Sequence, residues 1–164
     1  MQGKQAMVVL GLMAALGAAP ALAHQGQVEH RKVVFKEYGE QLDFGRMGKS
    51  VEAGRTIELE MNDTYRFAPA RLTVRAGETV RLVFRNTGAQ QHEWVLGTPQ
   101  DIARHADLMR RFPNMEHDEP QYVHVPPGEQ RELVWKFNRP GRFEFACLLP
   151  GHFEAGMNGF VEVR

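Results

Sequence analysis

Cys147, His152 and Met157 stand at C-x4-H-x4-M spacing near the end of a chain that contains no other cysteine. Thiolate, imidazole and thioether are donors of graded softness. They can act together only if the chain folds back on itself twice. Pro150 and Gly151 supply the first turn, returning His152 toward Cys147, and Gly156 permits a second that returns Met157. One more imidazole would complete a trigonal plane of two histidines and one cysteine with a weak axial thioether, a donor set suited to copper in either oxidation state. His92 is the candidate. It opens an alternating run after the 86–91 loop, with Trp94 and Leu96 on its own face. A compromise geometry changes little when one electron is gained or lost, so this chemistry is electron transfer rather than bond making.

The remaining composition narrows the field. Across 164 residues, 20 Lys+Arg balance 20 Asp+Glu, and no basic cluster marks a nucleic-acid face. One cysteine excludes an intrachain disulfide and any cysteine-rich zinc or iron–sulfur site. No H-x-H pair is present. The chain therefore lacks the histidine clusters of a copper enzyme, and a two-copper electron centre would need a second cysteine. At the start, Lys4, the apolar run Ala6–Leu16 and the sequence Pro20-Ala21-Leu22-Ala23 form a secretory signal pattern with cleavage after Ala23. Nothing else is long and apolar enough to span a bilayer. The expected location is the periplasm, where an unpaired Cys147 suits a metal ligand.

The elements that must position these donors are short strands. Residues 24–54 are polar and glycine-containing and read as a mobile N-terminal arm ahead of a domain at 55–164. Period-two alternation runs through Ile57, Leu59 and Met61, then Leu72 and Val74, then Val80, Leu82 and Phe84. It resumes at His92, Trp94 and Leu96, at Leu133, Trp135 and Phe137, at Phe143, Phe145 and Cys147, and at Val161 and Val163. His124 alternates with Val123 and Val125 and is expected to face solvent. This predicts an all-β antiparallel sandwich of about seven or eight strands. One segment breaks the period: Ile102, Ala106 and Met109 form a helical stripe within 100–112, with Thr98 as cap and Pro113 as stop.

The ligand pattern resembles that of the cupredoxins, the small type 1 copper proteins, with the spacing found in rusticyanin. Arg66-Phe67-Ala68-Pro69, Gly77-Glu78-Thr79-Val80-Arg81, Val95-Leu96-Gly97-Thr98, Met115-Glu116-His117-Asp118 and Pro150-Gly151-His152-Phe153-Glu154-Ala155-Gly156-Met157 resemble stretches of exported proteobacterial cupredoxins linked to copper tolerance. The resemblance implies a Greek-key β-sandwich and one type 1 copper per chain, held by His92, Cys147, His152 and Met157. It also implies that electrons leave through His152, flanked by the apolar Leu148, Leu149, Pro150 and Phe153. Plastocyanin and azurin place Asn after the first histidine ligand to tie the two ligand loops together. Here Glu93 occupies that position, and either hydrogen-bonds the Cys147 loop or faces solvent.

Weaker metal-binding sets accompany the main one. His105 and Met109 lie a turn apart on the predicted helix, and Met115 and His117 follow it; together they are a candidate accessory copper site. His24, with His30, is a second. The expected function is a periplasmic copper protein cycling Cu(II)/Cu(I), active in electron transfer and copper tolerance and not an enzyme. The alternative is a copper-sequestering or copper-delivery protein without a dedicated electron partner. The expected partner is a c-type cytochrome or a copper-handling protein, and the chain is expected to be a monomer.

Overall fold

Alternating β-branched, aromatic and charged residues suit a half-buried pleated surface, and the alternating runs form strands. The computed structural model describes residues 40–113, 115 and 119–164. The strands are β1 (Arg46–Met47), β2 (Arg55–Asn62), β3 (Arg66–Ala68), β4 (Arg71–Val74), β5 (Glu78–Asn86), β6 (His92–Gly97), β7 (Tyr122–Val125), β8 (Gln130–Phe137), β9 (Gly141–Ala146) and β10 (Asn158–Val163). One helix, α1 (Pro99–Arg111), interrupts them. One five-stranded sheet has the order β1-β8-β5-β2-β3 and the other β4-β10-β9-β6-β7.

The inward faces are the predicted ones. Leu59, Met61, Val80, Leu82, Phe84, Trp94, Leu96, Trp135, Phe137 and Phe145 are all at most 1% exposed and share one core. Burying each large apolar side chain contributes about 1.5–3 kcal/mol. Strand direction differs from expectation: β2 runs parallel to β5, and β10 parallel to β4, so the sandwich is mixed rather than antiparallel. Alternation fixes which face is buried and carries no information about direction. β1 and β3 are also additional to the predicted strands. At two and three residues they are too short to show a period.

The expected arm ends earlier than residue 54. Phe44 is buried and stacks on Trp135 with ring centroids 5.9 Å apart, and its carbonyl accepts the Trp135 indole N–H at 3.1 Å. β1 pairs with β8. The edge of β8 would otherwise offer open hydrogen-bonding groups, and one buried aromatic anchors the segment that covers it. The expected signal segment 1–23 and the rest of the arm to residue 39 lie outside the described residues. Among the described residues, no helix is long and apolar enough to cross a membrane.

β6 is buried along its whole length, on both faces. Its inner face carries His92, Trp94 and Leu96. Its outer face meets α1, where Val95 packs with Ile102, Ala106 and Met109. α1 starts in a capping box: the Thr98 hydroxyl accepts the Asp101 N–H at 3.1 Å, and Asp101 accepts the Thr98 N–H at 3.1 Å. Burial alone would raise the Asp101 pKa, but the Thr98 hydrogen bonds and Arg104 outweigh it and hold it below the usual value. A carboxylate lowered in the folded state stabilises above its unfolded pKa and loses that contribution as pH falls through the folded one. Thr98→Ala is therefore expected to destabilise by about 1 kcal/mol in urea unfolding at pH 7, and by less at a pH below the lowered folded-state pKa of Asp101. An equal loss at both values would show that the box is not the source.

Candidate metal centre

The final hairpin between β9 and β10 is built to fold back. The His152 N–H donates to Leu149 O at 3.0 Å, the Met157 N–H to His152 O at 3.0 Å, and the Cys147 N–H to Met157 O at 3.0 Å. Gly151 and Gly156 take φ of +83° and +95°, a region that L-residues with a Cβ rarely enter. The Arg66 guanidinium binds Ala155 O at 2.6 Å and Tyr65 O at 2.7 Å, fastening this loop to the turn before β3. Cys147, His152 and Met157 thus leave one closed loop. All three are buried, with Cys147 and Met157 in the main core.

His92 arrives from the other side. Asn86, at the end of β5, donates to Gln90 O at 2.7 Å and Val125 O at 2.9 Å, and accepts the Gly88 N–H at 2.9 Å. That fixes the 86–91 loop and the entry into β6. One ligating atom each from His92, Cys147 and His152 lies within 4.8 Å of the others. Cys147 Sγ is 3.2 Å from His152 Nδ1, and the two imidazole centroids are 5.0 Å apart. Among the described residues this is the cluster of histidine, cysteine and carboxylate groups that could hold a metal ion.

The residues fit a soft metal. His92 Nδ1 is buried and has no hydrogen-bond partner, while the ring's Nε2 sits 3.1 Å from Asp63 Oδ1. A buried nitrogen lone pair without a donor is costly unless something accepts it. Burial pushes the Cys147 thiol pKa up to about 12, offset in part by the Glu93 N–H that donates to Sγ at 3.4 Å. Burial also lowers the His152 pKa, and the neighbouring His92 lowers it further, so its ring is held neutral. The His152 ring thus offers a lone pair, and a metal cation bound here would displace the proton of the Cys147 thiol.

Glu93 faces inward to the Cys147 loop. It is buried, and its Oε1 accepts the Leu148 N–H at 2.8 Å, so the position does tie the two ligand loops together. The solvent-facing alternative is excluded. Desolvation raises its pKa, against the Leu148 hydrogen bond and the charge of His124. His124 is exposed as expected, with Nδ1 3.5 Å from Glu93 Oε2.

A family model for the cupredoxin-like domain matches residues 8–157 of the chain. The chain belongs to the cupredoxins. It is 47% identical over 154 residues to the copper-resistant cuproprotein CopI of Rubrivivax gelatinosus, covering 93% of each protein. It is 32% identical to CopI of Pseudomonas aeruginosa, over 96% of this chain and 94% of that one. The solved structure of auracyanin B superposes with a TM-score of 0.61 at 26% identity, covering 73% of this cupredoxin and 96% of that chain.

Among the described residues, the accessory residues of this cupredoxin form no second group of three histidine, cysteine or carboxylate side chains. His105 Nδ1 lies 3.0 Å from the Tyr122 hydroxyl, and Met109 is buried against β6 and β9. Met115 packs on the same apolar cluster, while His117, like His24 and His30, lies outside the described residues. Met109 belongs to the Ile102-Ala106-Met109 stripe that docks α1, and lies one turn from His105 on the same helix. Two residues with a direct hold on the ligand rings were not singled out as site residues from sequence. Asp63 bonds His92. Tyr65, at φ +57°, places its ring 4.7 Å from that of His152. Asn62-Asp63-Thr64 is a run of turn-forming residues, but sequence alone does not show what such a turn meets in space.

Proposed function

We propose that this cupredoxin is an exported, periplasmic copper protein that serves copper tolerance and passes single electrons. One copper ion would be held by His92, Cys147 and His152, with Met157 as a weaker thioether donor. When bound, copper supplies a Cu(II)/Cu(I) couple. The observation that carries this reading is the buried, unpartnered His92 Nδ1 beside the Cys147–His152 pair.

The chain's own residues do the rest. The two sheets hold His92 and the Cys147 loop in place before any metal arrives, so little rearranges when charge changes. The core around Cys147 and Met157 excludes water. His152 is 7% exposed, the only one of the four to reach the surface, with Leu149 and Phe153 half-buried and Pro150 exposed around it. That small apolar rim suits brief docking of a redox protein such as a c-type cytochrome. The buried donor set leaves no open position for a substrate, which favours a carrier over an enzyme. The relatives named copper-resistant support tolerance as the biological role.

The test is the absorption and EPR spectrum of the copper-loaded protein with its metal stoichiometry. One copper per chain, an intense cysteine-thiolate band and electron exchange with a cytochrome are expected. Loading without that band would refute the ligand assignment. Tight uptake of a further Cu(I) equivalent, without electron exchange, would replace the carrier reading with sequestration.

A further inference from the structure

We propose that Asp63 is a positioning residue of the metal centre: its carboxylate fixes the His92 imidazole with Nε2 protonated and Nδ1 free, and biases the site toward Cu(II). The inference rests on the copper reading above and adds a residue that neither the ligand motif nor the family match assigns.

The geometry is specific. Asp63 Oδ1 lies 3.1 Å from His92 Nε2. A carboxylate only accepts, so a neutral ring must place its proton on Nε2 and leave Nδ1 as a lone pair. Nδ1 is the buried atom without a partner. The carboxylate is itself held. It accepts the Ala89 N–H at 2.8 Å and the Gln90 N–H at 3.2 Å, both from the loop that delivers His92. A Cβ at Gly88 would collide with it, so the glycine makes room for this approach. The same turn carries Tyr65, whose N–H donates to Asn62 O at 3.0 Å and whose ring contacts those of His152 and His92, with centroids 4.7 and 6.3 Å away. One short turn therefore touches both imidazoles.

Two effects of the carboxylate have the same sign. Accepting the Nε2–H raises the basicity of Nδ1, which strengthens its bond to the more charged metal state. A fixed negative charge across the ring also favours Cu(II) over Cu(I) by simple Coulomb attraction. Removing the carboxylate should weaken Cu(II) binding more than Cu(I) binding and raise the reduction potential.

The test uses Asp63→Ala and Asp63→Asn in the full chain. Nitrogen-15 NMR of the metal-free parent should show the Nε2–H tautomer at His92, and Asp63→Ala should show a mixture. In copper titrations, Asp63→Ala should lose about 10–100-fold in Cu(II) affinity, with a smaller loss for Cu(I). Asp63→Asn keeps a neutral acceptor and should fall between the two, which covers the case in which Asp63→Ala fails to fold. An Nδ1–H tautomer in the parent, or an unchanged ratio of Cu(II) to Cu(I) affinity in folded Asp63→Asn, overturns the inference. A parent that binds copper without a thiolate band instead refutes the copper reading, and the tautomer result still decides the Asp63–His92 pair.

Discussion

Copper-loaded Cys147→Ser should have no intense visible band. That band requires a sulfur lone pair bonded to Cu(II), and a serine oxygen is too hard and too weakly donating to replace it. The substitution is also a clean one. Cys147 is fully buried, and its sulfur takes a 3.4 Å contact from the Glu93 N–H and a 3.2 Å contact with His152 Nδ1, with the Leu149 backbone N–H also nearby. A serine hydroxyl can donate to the same imidazole nitrogen and accept from the same amide. The metal-free variant should therefore stay within about 1 kcal/mol of the parent in urea unfolding, the net worth of one hydrogen bond. Loss of colour with retained stability separates a ligand from a core residue. A folded Cys147→Ser protein that kept the band would place the copper elsewhere.

The centre is legible in the sequence where its geometry is local. Cys147, His152 and Met157 lie on one loop, and turn residues at fixed offsets announce how it folds. His92 is legible for a different reason: an alternating run fixes its face, and the core needs that face inward. Tertiary placement of turns is where the sequence goes silent. Asp63 lies 29 residues from His92. The two meet because β2 runs parallel to β5, with Met61 opposite Asn86, so the turn after β2 and the loop after β5 emerge side by side. Alternation cannot report that pairing, since a strand buries the same face in either direction. Phe44 was hidden for a related reason. A single aromatic in a polar, glycine-containing stretch has no period, and only its fit against Trp135 turns the segment into part of the sandwich.

Glu93 is where this cupredoxin departs from the asparagine of its better-known relatives, and two substitutions should separate its roles. Its side chain is 1% exposed, and one oxygen accepts the Leu148 N–H at 2.8 Å. Its other oxygen has no hydrogen bond, and His124 at 3.5 Å is too distant to supply a strong one. The group is thus half satisfied, and burial accordingly raises its pKa. Glu93→Ala strands the buried Leu148 N–H, which should cost about 1–3 kcal/mol, and leaves a void beside the metal loop. Glu93→Gln keeps an oxygen for Leu148 and removes a partly paired buried charge, so its stability should equal or exceed the parent's. Urea unfolding of both metal-free variants measures this order. The copper spectrum should follow it, with Glu93→Gln close to the parent and Glu93→Ala shifted, because Leu148 neighbours Cys147 and its amide would no longer be held. Equal stability of the two variants would mean that the tie between the loops is carried by the sheet alone. The glutamate would then act on the metal only through its backbone N–H.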